Sequence, residues 1–196
     1  MSFRVTLMGT GTSMGVPQIG CRCEVCTSKN PKNQRLRTGV LIENAETTLL
    51  IDLPPDLRQQ ALQYKLDRLH GVLLTHHHAD HLLGLDDLRR FNALMRTRIN
   101  IYTLENSIES VKKAFHYVFH PQTEYESFLP QLTLQALDGP ITIGSLPVIP
   151  IPLMHNRLPV LGFRLGNFAF LTDCNQVPES SRPLLKDLKY LVLGAL

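Results

Sequence analysis

Two groups of side chains in this sequence could do chemistry. The first is Thr75-His76-His77-His78-Ala79-Asp80-His81, which follows the apolar run Gly71-Val72-Leu73-Leu74. Polar groups at the end of a buried strand are costly unless something satisfies them. In an extended chain His76 and His78 project to the same side. Asp80 and His81 come next, where a turn into a helix aims both at a neighbouring point. This spacing suits two metal ions a few ångströms apart, with His76 and His78 on one and Asp80 and His81 on the other. Imidazole and carboxylate ligands suit zinc, manganese or iron. His77 points the opposite way and is read as a non-ligand.

The second group is Cys21-Arg22-Cys23-Glu24-Val25-Cys26, which holds three of the four cysteines. A disulfide framework spreads its cysteines to staple distant segments, and this crowded trio does not. Thiolates at such spacing can converge on one zinc at roughly 2.3 Å each. The reading is a three-thiolate structural zinc knuckle in a reducing compartment, against free cysteines in a loop. Cys174 lies far away beside Asp173 and reads as a small packed group.

The elements that must position these groups are strand-rich. Residues 3–8 alternate as a strand, and 9–34 form one long loop with the glycines of Gly9-Thr10-Gly11-Thr12-Ser13 and the cysteines. Strands are expected at 39–44 and 47–52, around an Asn44-Ala45-Glu46 hairpin, and a helix at 56–64 behind Pro54-Pro55. Residues 71–75 fit a buried strand, 86–95 a helix, 99–102 a strand and 107–117 a helix. Further strands are expected at 132–137, 141–143, 148–153, 160–165 and 168–172, then a short helix at 184–188 and an apolar strand at 190–196, read as buried under residues beyond it rather than as lying at a sheet edge. His155 follows one of these strands and Asp173 ends another. Each taken alone is more often structural, Asp173 as a turn or N-cap residue. His116 and His120 read as structural histidines, and Arg157 as a group in the loop beyond His155 that could pair with phosphate.

At 196 residues, 43% hydrophobic and 19% charged, the chain fits one folded domain over 1–196. No apolar run approaches the roughly 20 residues of a membrane helix. A net charge of +3 is too mild for a dedicated nucleic-acid binder. The opening Met1-Ser2-Phe3-Arg4 places a charge in a short apolar stretch, which argues against a secretory signal and for the cytoplasm.

His76-x-His78-x-Asp80-His81, with one later histidine and one later strand-end aspartate, resembles the metallo-β-lactamase superfamily of metallohydrolases. The resemblance covers nearly the whole chain and implies an α/β fold, an αββα sandwich of two mixed β-sheets flanked by helices. Gly9-Thr10-Gly11-Thr12-Ser13, Gly15-Val16-Pro17, the Cys21-x-Cys23-x-x-Cys26 knuckle and Leu50-Ile51-Asp52 with Pro55-Asp56-Leu57-Arg58 look most like the phosphonate-pathway cyclic-phosphate phosphodiesterase branch. The resemblance implies that His76, His78 and His155 hold a first metal, Asp80 and His81 a second, and that Asp173 bridges them. It implies further histidines after the last strand, and this sequence has none beyond His155. Together with an apolar strand at the end of the chain, that gives the expectation of a domain lacking its C-terminal segment.

Two divalent ions, Zn2+ or Mn2+, would lower the pKa of water from about 15.7 toward neutrality and neutralise phosphoryl oxygens. The expected function is a metal-dependent hydrolase, a phosphodiesterase acting on a small or cyclic phosphodiester, with Asp80 orienting the nucleophile. The alternatives are thioester hydrolysis or tRNA 3′-end processing on the same fold, or a non-catalytic relative in cofactor biosynthesis. The expected partner is a small phosphodiester, with neither membrane nor nucleic acid, and an exposed apolar strand edge would permit a homodimer.

Overall fold

Alternation along the early strands decides the layering. In the computed structural model, which describes residues 2–120 and 129–194, Val40 and Ile42 of β2 (Gly39–Glu43) face one way and Leu41 the other. Leu49 and Ile51 of β3 (Thr48–Ile51) face with the first pair, and Leu50 faces with Leu41. A strand apolar on both faces must be covered on both.

The first sheet has six strands in the order β1-β2-β3-β4-β5-β6. Here β1 is Arg4–Gly9, β4 Gly71–Leu73, β5 Ile99–Thr103 and β6 Leu132–Ala136. The β1–β2–β3 pairs are antiparallel and the β3–β4–β5–β6 pairs parallel. The second sheet, in the order β11-β10-β9-β8-β7, contains β7 (Ile141–Ile143), β8 (Leu146–His155), β9 (Leu158–Leu165), β10 (Phe168–Leu171) and β11 (Tyr190–Leu193). Its pairs are antiparallel except the parallel β10–β11. Both sheets are therefore mixed.

Val40, Ile42, Leu49 and Ile51 meet Leu161, Phe163 and Phe170 between the sheets. On the outer face of the first sheet, Leu41 and Leu50 pack with Leu57 of α2 (Leu57–Gln63), Leu82 of α3 (Ala79–Leu82), Leu88 and Phe91 of α4 (Leu88–Met95) and Val111 of α5 (Glu105–Ala114). On the outer face of the second, Ile151, Leu153, Val160 and Leu171 are covered by Leu184 and Leu185 of a 3₁₀ helix over Glu179–Leu185. Helix, sheet, sheet, helix is the expected αββα sandwich. No helix among the described residues is long and apolar enough to cross a membrane.

Several local expectations are corrected. The 9–34 loop contains a helical turn, α1 (Glu24–Thr27), which begins at Cys23. The helix expected over 107–117 starts at Glu105 and breaks at Phe115 (φ −119°, ψ 47°) before α6 (His116–Phe119). The helix expected at 184–188 is the earlier 3₁₀ helix, where Pro183 has no N–H to donate. β8 extends two residues beyond the expected 148–153 at each end and carries His155 as its last residue, despite Pro150 and Pro152. Met154, of the same parity as these prolines, sends its N–H to Gln176 O at 3.1 Å, away from β9. The prolines thus occupy positions whose N–H the β8–β9 ladder does not need. The last strand is not buried: β11 is an edge strand, with Leu191 48% and Leu193 50% exposed. Residues 195–196 of that expectation lie outside the described residues.

Candidate metal centre

Four strands from the two sheets end at one rim. Asp52 leaves β3, Thr75 to His78 follow β4, His155 ends β8 and Asp173 lies two residues past β10. The Leu161 N–H donates to Thr75 O at 3.0 Å and ties the histidine loop of the first sheet to β9 of the second. Asp52 and Asp173 both adopt left-handed backbone, φ 66° and 49°. Aspartate tolerates this region better than most residues, and it turns the chain sharply out of the strand.

The sequence-expected residues come together here. Among the described residues His76 Nε2 has no hydrogen-bond partner, although the residue is fully buried. One ligand atom each from His76, His81 and Asp173 lie within 4.8 Å of one another. His81 Nε2 is 3.3 Å from Asp80 Oδ2 and 3.4 Å from Asp173 Oδ2. The His76 ring centroid lies 4.5 Å from that of His78, 4.3 Å from His81 and 5.9 Å from His155, and His78 and His155 are 5.4 Å apart. His77 turns away and meets Ser107 Oγ of α5 at 3.1 Å.

Asp52 organises the cluster and was not among the residues singled out above as site candidates. Fully buried, it accepts from the Thr75 N–H at 2.8 Å, from the Thr75 hydroxyl at 3.0 Å and from His81 Nδ1 at 2.7 Å. A hydroxyl has one proton. With that proton on Asp52, the 3.0 Å contact between Thr75 Oγ1 and His76 Nδ1 requires the ring to donate. The His76 proton therefore sits on Nδ1, and the lone pair of Nε2 faces the cluster. Direct donation to Asp52 fixes His81 in the same sense, with Nε2 toward Asp80 and Asp173. Orientation of ligating histidines by a carboxylate behind them is a recurrent feature of metal sites. The signal in the sequence was a lone carboxylate directly after the apolar strand Leu49-Leu50-Ile51.

The electrostatics match this division. Burial, with His81 and His78 nearby, holds the His76 imidazole down to about 3. Burial would lower His81 as well, but the Asp52 charge and the hydrogen bonds that the His81 ring donates to Asp173, Asp52 and Asp80 push it up to about 12. The His81 hydrogen bond lowers Asp80, and despite the burial of Asp173 the same imidazole lowers that carboxyl too. A cluster that draws in a proton against burial has the charge balance of a cation site.

Beside it lies a cavity of ≈ 270 Å³, lined by residues 10–13, Asp80, His81 and Asp173 among others. The backbone of residues 35–37 holds that loop, and a Cβ on Gly9 would overlap the Arg37 carbonyl. At the far end of the loop, ligand atoms of Cys21, Cys23 and Cys26 lie within 4.8 Å of one another. The thiol of Cys23 accepts from the Cys26 N–H at 3.5 Å; this bond and contacts with the other two sulfurs bring Cys23 down to about 7. Cys174 packs under the second sheet near Leu184 and Leu185. His116, which opens α6, and His120, just past its end, stack on each other at 4.7 Å, and Arg157 is exposed in the turn after His155.

A family model described as a beta-lactamase superfamily domain matches residues 47–196. The chain belongs to the metallo-β-lactamase superfamily. A diphosphatase from the PhnP family superimposes with a TM-score of 0.87 at 34% identity, over 97% of this chain and 73% of that one. Zinc-bound PqqB from Methylobacterium extorquens shares the fold, with a TM-score of 0.75 at 21% identity over 99% of this chain and 73% of that one. The octanoyltransferase of Porphyromonas gingivalis is 40% identical over 194 residues, 98% of this chain. This chain spans 39% of the length of that relative.

Proposed function

We propose that this metallo-β-lactamase-fold chain is a metal-dependent phosphohydrolase that cleaves a small phosphodiester or diphosphate. The observation that carries the reading is the fully buried, unpartnered His76 Nε2 facing His81 and Asp173. An orphaned buried nitrogen is expensive, and a cation removes that expense. His76, His78 and His155 would hold one divalent ion, Asp80 and His81 a second, with Asp173 shared between them. Cys21, Cys23 and Cys26 would hold a structural zinc that pins the glycine loop. When bound, the two ions supply Lewis acidity at the phosphoryl oxygens and a lowered pKa for attacking water.

The chain's own groups do the rest. Asp80 is kept ionised by its contact with His81 and is the carboxylate placed to orient the attacking water and take its proton. Asp52 and Thr75 hold His81 and His76 in the tautomers described. Similarity to a diphosphatase at 34% identity supports phosphoryl chemistry. Octanoyl transfer is a property of a protein of which this chain matches only 39%.

Hydrolysis of bis(p-nitrophenyl) phosphate by zinc- or manganese-loaded protein tests the reading. Activity that collapses in Asp80→Ala is expected. Loaded protein without activity on this ester or on an aryl diphosphate, or with activity retained in Asp80→Ala, would overturn it.

A further inference from the structure

β8 carries His155 at its very end, and its two sides are held differently. On one side the β8–β9 ladder runs through to His155 opposite Leu158. On the other, pairing with β7 reaches only to Val148. From there the strand would present a bare edge, and Pro150 and Pro152 leave that edge short of donors. The segment that follows Asp173 covers it. The Met154 N–H donates to Gln176 O at 3.1 Å and Met154 O accepts from the Asn175 N–H at 3.0 Å. The hydroxyl of the buried Ser181 donates to Pro152 O at 2.6 Å.

The same segment also grips the turn beyond the strand. Asn156, in the turn Asn156-Arg157 between β8 and β9, adopts left-handed backbone at φ 56°, which asparagine tolerates. Its N–H donates to Asn175 Oδ1 at 2.7 Å, and Asn175 Nδ2 donates back to Asn156 Oδ1 at 3.2 Å. His155 and Asp173 are thus tied together through the residues one and two positions beyond them. Both asparagines are exposed, so burial does not account for the pair. His76 and His81 are each fixed by a hydrogen bond behind the ring, to Thr75 and to Asp52. The His155 ring, 5.9 Å from that of His76 and 5.4 Å from that of His78, has no hydrogen-bond partner among the described residues. Its place is set through the backbone.

We infer that Asn175 is the positioning residue for His155: its side chain locks the turn after the histidine to the segment after Asp173, and so sets the spacing of these two groups across the metal centre. This rests on the reading of His155 and Asp173 as metal ligands. Asn175 acts through the Asn156 backbone and is itself no ligand.

The test is a double-mutant cycle on the cobalt(II) affinity of the histidine site, titrated against a competing chelator in His155→Ala, Asn175→Ala and the double variant. Asn175→Ala should weaken the site by about 10-fold, the lower end for a group that holds a ligand in place. The thiolate site and the Tm of the metal-free protein should change little. In the His155→Ala background the same substitution should cost less than about twofold, because the group it positions is gone. Asn175→Asp keeps an acceptor for the Asn156 N–H, and the Asn156 amide can turn its NH₂ to the second oxygen. That variant should recover affinity at least to within about twofold of wild type. Losses that multiply in the double variant, Asn175→Ala as tight as wild type, or Asn175→Asp as weak as Asn175→Ala would overturn the positioning role alone. His155→Ala with unchanged cobalt affinity would overturn the ligand reading and the inference with it.

Discussion

Replacing Asp52 by Asn tests whether the metal centre is organised from behind. Asn keeps the shape and one acceptor oxygen but exchanges the other for an NH₂ donor. The site has three donors on Asp52: the Thr75 N–H, the Thr75 hydroxyl and His81 Nδ1. At least one is left without an acceptor, at about 1–3 kcal/mol. A domain of roughly 150–250 residues then loses about 2–4 °C of Tm per kcal/mol. The larger effect is on protons. Facing an amide donor, the Thr75 hydroxyl can turn its proton toward His76 Nδ1, 3.0 Å away, which moves the ring proton onto Nε2 and removes the lone pair that faces the cluster. Loss of a partner behind a ligand typically costs 10–100-fold in metal affinity, and Asp52→Asn disturbs two histidines. Cobalt(II) titration against a competing chelator follows the histidine site and the thiolate site separately by their spectra. Asp52→Asn should weaken the histidine site by about 10–100-fold with the thiolate site unchanged. Thr75→Val, which disturbs His76 alone, should give a smaller loss. Folded Asp52→Asn protein with histidine-site affinity within twofold of wild type would refute the reasoning.

Stability should depend on pH in opposite directions on the two sides of about 6.5. Without metal, His81 is held up to about 12, so its contribution is complete below 6.5 and is lost as pH rises toward 12. His76, held down to about 3, contributes above 6.5 and loses that contribution as pH falls toward 3. The Tm of the metal-free protein should therefore peak near 6.5, while the added Tm from zinc grows with pH because binding displaces the His81 proton. A metal-free Tm that climbs steadily from pH 6.5 to 9 would contradict this. Cys23→Ser should remove about one zinc equivalent and leave the histidine-site cobalt spectrum in place; unchanged zinc content would rule out the thiolate site. In Gly9→Ala the new methyl meets the Arg37 carbonyl, and the cost should be about 1–3 kcal/mol, read by urea denaturation.

The sandwich was legible because its strands are apolar at period two on both faces, and Leu41 and Leu50 already alternate with Val40, Ile42, Leu49 and Ile51 in the sequence. The His76-x-His78-x-Asp80-His81 cluster was legible because polar groups at the end of a buried strand are costly without a purpose, whereas His155 and Asp173, each more often structural when taken alone, became candidates only through the family resemblance. Asp52 escaped notice as a candidate because a single aspartate after a strand reads as a turn; its three bonds arise from tertiary proximity to Thr75 and His81, which lie 23 and 29 residues on. The reach of β8 to His155 was hidden by its prolines, whose harmlessness depends on which edge their missing N–H would face. The exposure of β11 depends on its place in the sheet order, and its apolar residues alone suggested burial.

The central claim, a cation site built from His76, His78, Asp80, His81, His155 and Asp173 beside a thiolate zinc site, is tested most directly by metal content per chain. Elemental mass spectrometry on purified protein, wild type and His76→Ala in parallel, should find about two to three equivalents in the wild type, with the deficit in the variant confined to the histidine cluster. One equivalent or less in the wild type, unchanged by His76→Ala, would contradict it.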